Sequence, residues 1–188
     1  MENQDFLEKG YFYHIYNRGN NREDLFLEND NYFYFLNLVN KYLLPIAEIY
    51  SYCLLKNHFH ILLKVRDDSD VPEEKLHLPF SNLFNAYAKS INKKYNRDGS
   101  LFKERYKRKR ITDEQYLLNT IVYIHLNPIK HGFSEIFDDY PYSSFSSVIS
   151  DKQTKLKREE VLELFNGKQN FIKTHFLKKN QDLSIDLD

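Results

Sequence analysis

The residues best suited to chemistry begin with His58-Phe59-His60. In an extended strand side chains alternate, so both imidazoles fall on one face while Phe59, Ile61 and Leu63 point to the other. Such a pair is either two hydrogen-bonded side chains or two neutral nitrogen ligands for a divalent ion, which then needs a third ligand from elsewhere. A second constellation follows Thr112. Tyr116, Asn119, Thr120, Tyr123 and Asn127 recur at three- and four-residue spacing and form one polar helical stripe, with Leu117, Ile121 and Ile124 on the other side. Pro128 is expected to force Asn127 out of the helical region. That leaves its amide oxygen at a frayed helix end as a candidate third ligand, one turn from a tyrosine hydroxyl.

The third constellation is basic. Between Lys89 and Arg110 there are ten basic residues against two acidic ones, Asp98 and Glu104, although Lys+Arg and Asp+Glu balance at 27 each over the chain. A charge run is either a solvated face or a contact for a phosphate backbone, and Phe102 and Tyr106 within it offer surfaces for stacking bases. Of Lys103, Arg105, Tyr106, Lys107, Arg108 and Arg110, alternation groups Arg105 with Lys107 and Tyr106 with Arg108 and Arg110. The Tyr106 face is the one expected to meet nucleic acid, because its ring can stack while two guanidinium groups hold phosphates.

These residues need elements to hold them. Tyr11 to Asn17 is aromatic and β-branched and reads as a strand closed by Arg18-Gly19-Asn20-Asn21. Tyr32, Phe35, Leu36, Val39 and Leu43 trace a helical face behind Asn29 and Asp30 as caps, and Pro45 stops it. Ile46–Leu55 and His58–Val65 form a hairpin around Lys56-Asn57, where Asn tolerates the left-handed conformation of a tight turn. A second helical face runs from Phe80 to Tyr95. Leu101–Ile111 is a strand, and Thr112 with Gln115 caps a helix running to about Leu126. The order β-α-β-β-α-β-α predicts an α+β protein, a ferredoxin-like split βαβ antiparallel sheet with one extra helix.

With 188 residues, 41% apolar and 29% charged, the chain fits one domain with an appendage, residues 1–150 followed by a helical extension or tail at 151–188. That tail is Lys-rich and then acidic, and its last eight residues are expected to fray. Five Gly and five Pro exclude collagen-like or linker-rich architecture. The start MENQDFLEKG is polar and no 18-residue apolar run occurs, so a cytoplasmic protein without a membrane partner is expected. The single cysteine, Cys53, reads as a buried thiol.

Five ordered blocks carry a family likeness: YHIYNRGNNR (Tyr13–Arg22), YCLLKNHFHILL (Tyr52–Leu63), GSLFKERYK (Gly99–Lys107), YIHLNPIKHG (Tyr123–Gly132) and YPYSSF (Tyr140–Phe145). Together they resemble the single-tyrosine HUH transposases, and more closely the branch of REP-associated tyrosine transposases, over roughly residues 10–148. The resemblance implies that His58 and His60 bind Mg²⁺ or Mn²⁺, that Tyr123 is the nucleophile and that Asn127 completes the metal site. It implies a transposase, or a domesticated relative, that nicks and rejoins single-stranded or hairpin DNA through a 5′-phosphotyrosine, as a monomer or homodimer. Leu55-Lys56 stands where family members commonly have Met-Pro, and Ile-Lys-His-Gly-Phe follows Asn127-Pro128 in place of the usual Val-Arg-Ala-Gly-Leu; neither departure is expected to touch a ligand. His14 and Asn17 face opposite sides of their strand, with a structural role or one near the DNA both open. A catalytically silent nucleic-acid-binding protein and a metal-dependent hydrolase remain as alternatives.

Overall fold

The computed structural model describes residues 6–179, so the expected fraying of the acidic C-terminus lies outside the described residues. Strand β1 (Phe12–Arg18) pairs antiparallel with both β3 (His58–Val65) and β4 (Lys107–Ile111), and β2 (Ala47–Leu55) pairs antiparallel with β3. The sheet order β2-β3-β1-β4 is that of the split βαβ arrangement. Register follows the period of two: Tyr16 opposes His60 and His14 opposes Leu62, so these four share one face. Tyr13, Ile15, Phe59, Ile61 and Leu63 share the other.

Helices α1 (Asn29–Tyr42) and α2 (His77–Lys94) cover that second face. Phe35, Phe59, Phe80 and Tyr87 are buried there without exposure, each contributing on the order of 1.5–3 kcal/mol by removal of apolar surface from water. The α1 cap differs from expectation. Glu28 is the N-cap, in a reciprocal capping box with Asn31, whose Oδ1 accepts from the Glu28 amide at 3.2 Å.

The extra helix, α3 (Glu114–Lys130), takes the opposite face and packs chiefly over β2 and β3, with Cys53, Leu55 and Leu62 beneath Ile121 and Tyr123. Asp113, not Thr112, is its cap: the Asp113 carboxylate accepts from the Tyr116 amide at 2.8 Å. Nor does Pro128 expel Asn127 from the helix. The helix continues through Pro128 to Lys130 and closes in a Schellman turn, in which the Phe133 amide donates to Pro128 O (2.8 Å) and the Gly132 amide to Ile129 O (3.0 Å). Gly132, at φ 68°, supplies the left-handed residue this turn requires. Pro128 has no N–H to offer the Ile124 carbonyl, a single lost bond that the packing of α3 in the core outweighs.

After the short α4 (Phe145–Ile149), the described part of the 151–188 segment forms α5 (Arg158–Leu164) and α6 (Lys168–Lys179), which join the same core as α3 through Val161, Phe165 and Phe171. A buried polar chain lies within it. His175 Nδ1 is 2.7 Å from Phe171 O, His175 Nε2 is 2.9 Å from His125 Nδ1, and His125 Nε2 is 2.7 Å from Ser144 Oγ, which itself accepts from the Tyr52 amide at 2.8 Å. Burial holds both imidazoles below their usual titration range, so both rings are neutral. A carbonyl can only accept, so His175 Nδ1 carries that ring's one proton, His125 Nδ1–H donates to His175 Nε2, and the Ser144 hydroxyl donates to His125 Nε2.

Two expectations about turns change. Asn57 is not among the residues with positive φ; its side-chain oxygen lies 2.7 Å from His58 Nδ1 instead. The tip is fixed from outside, because Lys56 O accepts from the amides of Leu25 (2.8 Å) and Phe26 (3.0 Å), and Asn57 O from that of Gly19 (2.8 Å). The fourth strand is shorter than expected, since residues 101–106 are irregular: Leu101 and Phe102 turn into the core and leave only one bridge, Gly19 to Phe102. Among the described residues no helix is long and apolar enough to cross a membrane.

Candidate functional site

The face beneath α3 carries a row of imidazoles. His14 Nε2 lies 2.9 Å from His60 Nδ1, and the two rings stack with centroids 5.1 Å apart. His58 stands edge-on to His60 at 5.3 Å, its own Nδ1 held by Asn57. Burial first, and then the neighbouring His14, His58, His131 and Lys130, holds the His60 imidazole well below its usual titration range, so it is a neutral nitrogen donor. With Nδ1 occupied on both rings, Nε2 is the nitrogen through which either would ligate, and His14 acts as the group that orients His60.

Helix α3 brings Tyr123 to the same place. Its ring meets His60 edge-on at 5.6 Å and His14 at 6.1 Å, and the Lys130 ammonium lies 4.7 Å from its centroid. Asn127 Nδ2 donates to Tyr123 O at 2.9 Å, and Asn127 Oδ1 is buried with no hydrogen-bond partner among the described residues. Tyr123 and Asn127 are both fully enclosed. Tyr116, earlier on the stripe, is tied to Thr120, whose hydroxyl donates to Tyr116 O at 2.8 Å.

In front of this group opens a cleft of about 610 Å³ lined by His58, His60, Tyr16, Asn17, Asn57, His131 and Phe133 together with Arg18, Arg22, Lys103, Glu104, Arg105 and Lys107. Five cations against one carboxylate make it a site for a polyanion. Of the basic-strand residues, Lys103, Arg105 and Lys107 reach it. The Tyr106 face does not, which reverses the expected orientation. Tyr106 is buried against Phe80 and Phe84 (centroids 5.1 and 5.2 Å), Arg108 donates to its hydroxyl at 3.1 Å, and Arg110 pairs with Glu8 and lies over Tyr11 at 3.4 Å. The reason is register: Lys107 opposes Tyr16 on the imidazole face, whereas Arg108 opposes Ile15 on the face covered by α1 and α2.

Sequence alone does not single out Arg18, Arg22, His131 or Phe133, and it leaves His14 between a structural role and one near the DNA. His14 could have been found by extending the alternation of β1 to His14 and Tyr16. His131 left no such signal, and contrary to expectation the block that departs from the family does touch a proposed ligand: His131 and His58 have ring centroids 4.6 Å apart.

Among the described residues no three of His, Cys, Asp and Glu converge on a metal position. The donor set that fits in kind is two imidazoles and a carboxamide oxygen, and the buried, unpartnered Asn127 Oδ1 is the atom that points to it.

No family model matches the chain. It is 32% identical over 104 residues to a putative REP-associated tyrosine transposase of Haemophilus influenzae, a match covering 52% of this chain and 58% of that protein, so the chain spans a little over half of this relative's length. A solved structure of a REP-associated tyrosine transposase bound to a REP hairpin is similar with a TM-score of 0.61 at 19% identity, over 80% of this chain and 86% of that one, which shows a shared fold. Both likenesses agree with the family that the five sequence blocks resemble.

Proposed function

We propose that this chain, a relative of the REP-associated tyrosine transposases in sequence and in fold, nicks and rejoins single-stranded or hairpin DNA with Tyr123 as nucleophile. One observation carries the reading: the Tyr123 ring, itself behind the cleft wall, packs edge-on against His60, which lines a cleft that five cations also line. The cations Arg18, Arg22, Lys103, Arg105 and Lys107 hold the phosphates of one strand. The Tyr123 oxygen attacks a backbone phosphorus; an O–P bond forms, the P–O3′ bond breaks, the phenolic proton leaves and the departing oxygen takes one up as a 3′-hydroxyl. The 5′-phosphotyrosine conserves the phosphoester for rejoining by the reverse steps, so no nucleotide triphosphate is consumed. Lys130, 4.7 Å from the Tyr123 ring, favours negative charge developing on the phenol. Mg²⁺ or Mn²⁺, held by His58 and His60 with Asn127, would supply polarisation of the phosphate and stabilise its charge.

Because Tyr123 is enclosed, reaching the strand requires its ring or the C-terminal turns of α3 to move toward the cleft. That enclosure favours the alternative, a silent DNA-binding protein with the same cleft. The two are separated by incubating the protein with Mn²⁺ and single-stranded oligonucleotides from the repeats flanking its own gene. A protein–DNA adduct on a denaturing gel is expected, lost in Tyr123→Phe with DNA affinity kept within a few-fold. An equal adduct from the variant moves the nucleophile elsewhere, with Tyr116 the next candidate, and no adduct from the wild type leaves the silent binder.

A further inference from the structure

Helix α3 lies chiefly over β2 and β3, and at the His58 end of the sheet Tyr16 and Arg18 of β1 and Lys107 of β4 line the cleft as its floor. The two walls differ in chemistry. On the β4 side stand Lys103, Arg105 and Lys107. On the α3 side stand two rings delivered by the Schellman turn: His131, exposed, edge-on to His58 at 4.6 Å, and Phe133, half-buried, edge-on to His58 at 6.0 Å. That turn accounts for an apolar residue at 133, since a hydrophobic contact commonly accompanies the motif. It does not account for an imidazole at 131, set edge-on to His58 at the mouth of the cleft while still exposed to solvent.

A cationic wall facing an aromatic wall is the arrangement by which proteins hold single-stranded nucleic acid, phosphates on one side and base faces on the other. The volume, about 610 Å³, lies within the range of pockets that enclose a nucleotide-sized ligand. Resting on the reading of the cleft as a single-strand DNA site, we infer that His131 and Phe133 form a subsite for one unstacked nucleobase, that of the nucleotide next to the phosphate held at His58 and His60. The subsite fixes which phosphate is presented to Tyr123, because a strand whose base is seated against these rings cannot slide along the cations.

The probes are single-stranded oligonucleotides from the repeats flanking the protein's own gene, each with one abasic site or one 2-aminopurine at successive positions. In the wild type, an abasic site at one position should weaken binding about tenfold, the loss of one base–aromatic stack, and 2-aminopurine at that position should be quenched on binding. His131→Ala with Phe133→Leu should bind intact DNA about tenfold more weakly, suffer no further loss from the abasic site, and leave the 2-aminopurine bright. Should the double variant fail to fold, His131→Ala alone, at an exposed position, should shrink the abasic penalty several-fold. A variant that keeps the full penalty and the quench overturns the subsite while wild-type binding and adduct formation stand. A wild type that binds none of these oligonucleotides overturns the DNA reading of the cleft and the subsite together.

Discussion

Lowering the pH should loosen the α3–α6 core through His175, and the size of the effect follows from its surroundings. Burial pushes the His175 imidazole from 6.5 down to about 4, against a smaller opposing effect of its bond to Phe171 O. In the folded chain its Nε2 accepts from His125, so a proton there sets two donors face to face unless His125 shifts its own proton to Nε2 and gives up the bond from Ser144. The unfolded chain has no such constraint and takes up a proton near pH 6.5, so between pH 6.5 and about 4 it binds more protons than the native state and stability falls with falling pH. Integrating the difference, the loss is about 2 kcal/mol at pH 5 and about 3 kcal/mol at pH 4, a large share of the roughly 5–15 kcal/mol that holds a domain together. It is fully recovered above pH 6.5. Urea denaturation at intervals from pH 7 to pH 4.5 reads it directly. The control is His175→Gln, whose amide can still donate to Phe171 O and accept from His125 but takes up no proton. Wild type and variant should have similar stability at pH 7, and the wild type should lose about 2 kcal/mol more than the variant by pH 5. Parallel curves for the two proteins would refute the argument.

Three further outcomes are expected. Lys107→Ala should flatten the salt dependence of single-strand DNA binding by about 0.7 in slope, while Arg108→Ala, bound to Tyr106 on the covered face, should leave it unchanged; filter binding across a salt series decides between them. Gly19→Ala should destabilise the protein by at least about 1–3 kcal/mol in thermal melts, because a Cβ there would stand 1.9 Å from the Glu23 carbonyl oxygen, and a melting point equal to wild type would refute that crowding. His58→Ala with His60→Ala should abolish Mn²⁺ binding in calorimetry, at an added unfolding cost of about 1–3 kcal/mol for the buried His14 nitrogen left by His60; unchanged Mn²⁺ affinity would reject the metal site.

What the sequence made legible was whatever depends on local periodicity. Alternation across His58, Phe59 and His60 placed both imidazoles on one face, and three- and four-residue spacing put Tyr123 and Asn127 on one side of a helix. The hairpin, the βαββαβ order and the antiparallel sheet follow from the same patterns and from turn residues. What stayed hidden depends on partners distant along the chain. Nothing local says that Tyr106 stacks on Phe80 rather than on a base, because that is set by the register of β4 on β1 and the side on which α2 lies. The rule that proline ends a helix failed at Pro128 because the packing of α3 in the core outweighs one lost helical bond, and the Schellman turn closes the helix only after Lys130. His14 and His131 reach His60 and His58 only through strand pairing and the docking of α3, separations of 46 residues in one case and 73 in the other.

The external bonding of the β2–β3 tip has a consequence for local opening. Hairpin ends ordinarily fray, and amide protons near them exchange with solvent at low free-energy cost. Here the two tip carbonyls are taken by the amides of Gly19, Leu25 and Phe26, so those three protons can be released only by pulling β1's exit segment off the hairpin, which also exposes Phe26 and the aromatic stack around it. Their exchange should therefore follow the opening of that segment rather than the fraying of the turn. The hairpin that carries His58 and His60 is thereby clamped at its turn, so on the proposed reading any movement that brings Tyr123 to a bound strand is left to α3.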